Sequence, residues 1–221
     1  MAFQGWPDAA LDFFEDLERD NSKAYWTAHR PVYDQAVLNP MIELTDELAG
    51  EYGQARIMRP YRDVRFSRDK TVYRTEIGAM VGSAYIRLSA SGLAAGNGLF
   101  HLMPDQLARY REAVAADRTG AELERIARAL TGDGIELVGH DMLKSAPRGY
   151  PADHPRAELL RYKGLAAFRQ WEPGPWLSTA AAKDRITGFL AQTAPLAAWL
   201  EAHVGPTQEP EAPAGRAGRR R

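Results

Sequence analysis

The chain has 221 residues, 45% hydrophobic and 26% charged, with 28 Lys+Arg against 29 Asp+Glu for a net charge of −1. It contains no cysteine, which excludes disulfides, thiol nucleophiles, iron–sulfur clusters and thiolate zinc sites. No apolar run approaches the ~18 residues of a membrane span, and the N-terminus lacks the basic and apolar regions of a signal peptide, so a cytoplasmic protein is expected.

Residues 7–53 read as helical. Pro7 suits a first turn, Leu11, Phe14 and Leu17 recur at helical spacing, and Asp20-Asn21 ends the run. Ser22 is the expected cap of a second helix carrying Tyr25, His29, Val32 and Tyr33, with Pro31 straining its interior. Asn39-Pro40 should break the pattern, and Pro40 should open a third helix with Met41, Leu44 and Leu48.

Residues 56–103 change period and read as strands. Val64 and Phe66 share one parity, while Asp63, Arg65 and Ser67 share the other. Ile77, Ala79 and Val81 alternate likewise, as do Ala84, Ile86 and Leu88. The Gly-rich run 91–98 predicts a turn or bulge before a strand over 99–103. Helices return over 104–116 and again where Thr119 and Glu122 form a capping-box pattern ahead of Leu123, Ile126 and Leu130, with Gly132 as terminator. A strand near 135–143, a short helix over 155–162, a strand Leu165–Trp171 and a helix over 178–204 interrupted around Pro195 follow. This order predicts one α+β domain over residues 1–204, its largely antiparallel sheet flanked by helices. Residues 205–221 read as a disordered Pro/Gly/Arg-rich tail.

Charge is unevenly spread. Seven basic residues fall within 56–74, with Asp63 and Asp69 as the only acids there. Concentrated positive charge must be solvated, paired or given an anionic ligand. A strand over 62–67 puts Asp63 and Arg65 on the face opposite Val64 and Phe66, and Tyr73 and Arg74 return toward the same end of the sheet. Guanidinium forks match the oxygens of phosphate and carboxylate, so Arg62, Arg65, Lys70 and Arg74 are candidate ligand-binding residues. Asp63, Asp69 and Tyr73 are the candidate catalytic groups, available for proton transfer, and the two aspartates also for Mg²⁺. The structural alternative is an internal Arg–Asp ion-pair lattice.

A second basic segment, 143–155, forms a Pro/Gly-rich loop that offers Arg148 and His154 to the same anion, with His154 alternatively capping the helix that follows. The five histidines show no paired metal spacing, and no phosphate loop or nucleophile elbow is present, so no metal site is assigned. Residues 1–205 carry 24 positive and 27 negative charges, which disfavours broad duplex-DNA binding.

Residues 62–74, Arg-Asp-Val-Arg-Phe-Ser-Arg-Asp-Lys-Thr-Val-Tyr-Arg, resemble the signature of the bacterial and fungal family called domain of unknown function 2461. Asn21-Ser22-Lys23-Ala24-Tyr25-Trp26 with Arg30 and Tyr33, and Pro147-Arg148-Gly149-Tyr150 with His154-Pro155, resemble two further family motifs. The likeness spans about residues 3–202. Val72-Tyr73-Arg74 departs from the family's usual Pro then Tyr-Lys, and Tyr25-Trp26 from its Trp-Phe. The resemblance implies that the Arg-Asp-x-Arg-Phe-Ser-x-Asp-Lys segment defines the group, and it carries no activity. Two functions follow: a pocket for a small phosphate- or carboxylate-bearing ligand, with or without catalysis, or a non-catalytic module for protein or structured nucleic acid. The sequence specifies no cofactor, reaction or oligomeric state.

Overall fold

Period-two burial organises the molecule. In the computed structural model, which describes residues 2–62 and 71–209, Ile77, Ala79 and Val81 point to the same side as Ala84, Ile86 and Leu88, and all six are buried. They belong to β2 (Glu76–Val81) and β3 (Ala84–Ser89). With β1 (Ala55–Ile57), β4 (Gly92–Leu99), β5 (Glu136–Val138) and β6 (Leu165–Trp171) they form one six-stranded sheet of order β1-β2-β3-β4-β6-β5. Every pairing is antiparallel.

Helices α1 (Ala9–Arg19), α2 (Lys23–Val32) and α3 (Asn39–Tyr52) precede the sheet. Helices α4 (Pro104–Ala115), α5 (Asp117–Gly132) and α6 (Ala157–Leu160) lie between β4 and β6, and α7 (Ala181–His203) closes the fold. Helix α7 packs on β4 and β6, α3 on β1 and β2, and α5 on β5. The result is the expected single α+β domain around one core. Among the described residues no helix is long and apolar enough to cross a membrane.

Several local expectations change. Asn39-Pro40 does not interrupt the helix: a π-helical turn, Tyr33–Leu38, joins α2 to α3. That turn lies between Pro31 and Pro40, each of which lacks the N–H of a regular ladder, so the widened turn falls where the helix is weakest. The Gly-rich run is no turn but the central strand β4, paired on both edges. Its small residues permit close approach of α7, and Asn97 Nδ2 donates to Thr193 Oγ1 across 3.0 Å. The strand expected over 99–103 therefore ends at Leu99. Thr119 is not a cap, because α5 begins at Asp117 and the Thr119 hydroxyl donates to the Ala113 carbonyl at 2.6 Å. Helix α7 runs through Pro195 without interruption. Ser22 does cap α2, its Oγ accepting from Tyr25 N–H at 3.1 Å.

Residues 205–209, which the sequence reading assigns to the tail, make specific contacts. Arg109 Nε donates to Val204 O at 2.6 Å and its Nη2 to Pro206 O at 2.8 Å, while Gln106 Nε2 donates to Gly205 O at 2.8 Å. Asp105 accepts from Gln208 N–H and Thr207 Oγ1, both at 2.8 Å. The Gln208 N–H, with help from Thr207 and Arg109, holds the Asp105 carboxyl down to about 2. A depressed carboxylate contributes above its ordinary value near 4 and loses that contribution as pH falls through the folded value. The strap over 204–209 should thus stay docked at pH 4 and detach near pH 2. An NMR pH titration of the Gln208 amide, with β4 amides reporting that the sheet is still folded, should show a midpoint near 2. A midpoint near 4 would mean that Asp105 does not hold the strap.

Candidate functional site

Strand β3 ends at Ser89, opposite Glu76, but the chain that leads into β2 extends further. Tyr73 forms an antiparallel bridge with Tyr61, flanked by Arg62 N–H to Val72 O and Arg74 N–H to Pro60 O, each at 2.8 Å. One edge of this ribbon is therefore paired by residues 60–62. On the other edge, where β3 has stopped, Asn21 supplies the missing partner. Its Oδ1 accepts from the N–H groups of Val72 and Tyr73, both at 2.9 Å, and its Nδ2 donates to Tyr73 O at 3.0 Å. A side-chain amide carries the same donor and acceptor as a peptide unit, so Asn21 pairs with Tyr73 as a neighbouring strand would.

The notch left beyond the end of β3 is a cavity of about 340 Å³. Asn21, Arg62, Thr71, Tyr73, Arg74, Thr75 and Glu76 line it, with Leu17 and Glu18 of α1 closing one side. A larger cavity, about 590 Å³, lies between α7, the β2–β3 turn and the C-terminal strap. It contains none of the residues singled out by sequence, so chemistry rather than size directs attention to the notch.

The ribbon is anchored from below by aromatic rings. Tyr73 is 5% exposed and stacks on Trp26, with ring centroids 4.4 Å apart and planes 10° from parallel. Tyr61 leans on both rings. Burial raises the Tyr73 hydroxyl above its ordinary value, with the neighbouring Tyr61 adding to the effect, so it stays protonated at neutral pH and serves as scaffold. Trp26 is core, and Arg30 over its ring is held by Asp34 at 2.7 Å.

Arg74 sits on the opposite side of the ribbon from Tyr73, as alternation requires. Its Nε is buried and has no hydrogen-bond partner. Glu76, two residues on, is already engaged: Oε2 lies 3.5 Å from Arg87 Nη1, and Oε1 accepts from the Tyr85 hydroxyl at 3.4 Å. Burial first, and then the Glu76 charge, push Tyr85 up to about 12. Arg62 reaches across to the Thr71 hydroxyl.

The remaining candidates separate. Asp63, Arg65, Asp69 and Lys70, together with the expected strand over 62–67, lie outside the described residues apart from Arg62. Arg62 and Arg74 share the notch. Arg148 is exposed on the loop after β5. Nearby, Met142 bridges Tyr162 and Leu143 N–H donates to Arg161 O at 2.8 Å, at the Leu165 end of β6. The notch lies at the other end of the sheet, and β2 is three strand spacings from β6, roughly 14 Å. Arg148 therefore does not join Arg62 and Arg74. His154 Nδ1 accepts from Arg156 N–H at 3.0 Å, but Arg156 is the residue that opens α6 and no side chain caps that helix, so the expected cap does not form. Arg156 itself, which the sequence reading passed over, is 8% exposed, and its Nε donates to Val114 O at 2.7 Å, closing the carbonyl end of α4.

In sequence Asn21 stands at a helix end and at the head of the first family-like motif, and nothing local indicates a partner fifty residues away. Among the described residues no group of three or more His, Asp or Glu side chains is arranged to hold a metal ion.

The family described as "Conserved hypothetical protein (DUF2461)" matches residues 9–199, and the chain belongs to it. No curated protein and no solved structure matches the chain.

Replacing Asn21 with alanine should cost about 1–3 kcal/mol, because three hydrogen bonds to strand backbone are lost and water replaces them only in part. Chemical denaturation measures the loss, and hydrogen exchange should show the Val72 and Tyr73 amides losing protection before those of β3. Unchanged protection would mean that the ribbon is held by its aromatic base alone.

Proposed function

We propose that the notch binds a small phosphate- or carboxylate-bearing ligand through Arg62 and Arg74. The observation that carries this reading is that Arg62 and Arg74 line one cavity. Guanidinium forks match the oxygens of phosphate and carboxylate. The Arg74 Nε itself is buried, so an anion in the cavity would engage the terminal nitrogens of the fork, with Thr71 and Thr75 also in the lining. Asn21 keeps the ribbon in register, so that the guanidinium groups are positioned before the ligand arrives. Arg65 and Lys70, between Arg62 and Thr71 in sequence, enter the proposal as further positive charge. By the same sequence argument Asp63 and Asp69 are its groups for proton transfer. Arg148 and His154 are left out.

The rival reading makes the basic motif over 56–74 an internal ion-pair network of a non-catalytic module for protein or structured nucleic acid. Arg74 distinguishes the two. Thermal shift and calorimetric titration with inorganic phosphate, nucleotides and sugar phosphates are made on the full chain and on Arg74→Gln. In a binding site the substitution lowers affinity roughly ten- to a hundredfold, the equivalent of losing one charge-assisted hydrogen bond. The melting temperature of the unliganded protein stays level or rises, since a buried unpaired donor has gone. A melting temperature several degrees lower, with any ligand shift intact, would assign Arg74 to scaffold and end the proposal.

A further inference from the structure

The walls of the notch differ in charge. The ribbon contributes Arg62 and Arg74, and α1 contributes Glu18. Glu18 belongs to the last turn of α1, which ends at Arg19, and Asn21 follows just past that end. Because Asn21 is tied to Val72 and Tyr73, that last turn is fixed beside the strand that bears Arg74.

Neither Arg74 nor Glu18 is neutralised within the described fold. Among the described residues, the Arg74 side chain makes no hydrogen bond or ion pair, and the Glu18 carboxylate makes none either. Arg19, next to Glu18 in sequence, is turned to Glu15 and Asp16, at 3.3 and 2.7 Å. The other carboxylate of the notch, Glu76, is already shared by Arg87 and Tyr85. Arg74 and Glu18 therefore line one cavity with opposite charges and do not pair with each other. The helix adds to this asymmetry. The carbonyl end of α1 carries partial negative charge, so the helix terminus and Glu18 favour a cation at the same wall.

We infer that the ligand of the notch is dipolar: a small molecule that carries an ammonium group besides its phosphate or carboxylate. The anion lies at the terminal nitrogens of Arg74, with Arg62, and the ammonium lies at Glu18. This rests on the anion reading of the notch and adds the second charge of the molecule that bears the anion. A purely anionic ligand is attracted by the arginines but repelled by Glu18 and by the end of α1. A dipolar one meets complementary charge on both walls. At about 340 Å³ the cavity is at the small end of the roughly 300–1,000 Å³ usual for ligand sites, which suits a short amino acid or aminoalkyl phosphate.

Calorimetric titration of the full chain compares two matched pairs of probes, 2-aminoethyl phosphate with ethyl phosphate and β-alanine with propionate. The two pairs separate phosphate from carboxylate as the anionic group, and within a pair only the ammonium differs. Variants are Glu18→Gln, Glu15→Gln and Arg74→Gln, each first checked by its melting temperature. Glu18 is exposed, so its amide variant should fold. Glu15 lies on the same helix outside the notch lining and serves as the charge control.

In at least one pair the amino probe should bind the unaltered protein about fivefold or more tighter, the upper range for an exposed ion pair. Glu18→Gln should weaken that amino probe and strengthen its ammonium-free partner, whose repulsion is relieved. A merely structural role of Glu18 would move both probes in the same direction. Glu15→Gln should leave both within about twofold, since solvent screens its charge from the notch. Arg74→Gln should weaken all four probes. Equal or weaker binding of the amino probe in both pairs overturns the dipolar inference and leaves the anion site standing, as does a preference that survives Glu18→Gln. Binding of none of the four overturns the anion reading and the inference with it. Should Glu18→Gln unfold, Glu18→Ala takes its place, and the comparison of probes on the unaltered chain still decides the matter.

Discussion

The amide of Asn21 is the interaction on which the rest of the site depends. A strand that outruns its neighbour exposes N–H and C=O groups that must find partners, and here the neighbour β3 stops at Ser89 while the ribbon continues to Thr71. Another residue of sheet in β3 would satisfy those groups but would also fill the notch. A single side chain, placed at the junction of α1 and α2, satisfies them from the flank and leaves the space beside Arg74 open. The helical hairpin is fixed in turn by the Ser22 cap and by Phe13 packing against Trp26 and Tyr33. The cavity is therefore a product of unequal strand lengths, maintained by one residue that imitates a peptide group.

This arrangement explains how a chain of slightly negative overall charge concentrates cations. Tyr73 packs with Trp26 and Tyr61 on one side of the ribbon, so Arg74, at the alternate position, falls on the other. Helix α1 contributes Glu18 to the notch lining, and β2 contributes Glu76, which also meets Arg87 and Tyr85. The placing of the Arg74 guanidinium follows from the same alternation that buries the rings.

The sheet was legible wherever burial alternates with polarity, and β2 and β3 were read from Ile77 to Leu88 with the correct inner face. β4 was not, because a strand buried against helix on one side and packed with small residues on the other has no alternation to display. Glycine at 92, 96 and 98 there reflects close approach of neighbouring chain, whereas in sequence it carries the signal of a turn. The π turn between Pro31 and Pro40 was likewise hidden, since proline marks a weakened ladder without saying whether the helix stops or widens. Arg62 and Arg74, which charge density singles out, both line the notch, and Arg148 is not among the described residues that line it, because charge alone does not say which end of a strand a loop returns to. Asn21 was invisible for the reason that makes it important: its partners are backbone groups, which every residue has.

The short outermost strands have a bearing on association between copies. β1 and β5 are each three residues long, and beyond β1 the same edge continues through Arg59, Pro60 and Arg62. A foreign strand adding to that margin would have to align against closely spaced cations. The same basic segment thus also acts as a gatekeeper against edge-to-edge growth of the sheet. Substitutions that neutralise Arg56 or Arg59, both exposed and outside the notch lining, would leave the notch intact while exposing the protein to aggregation.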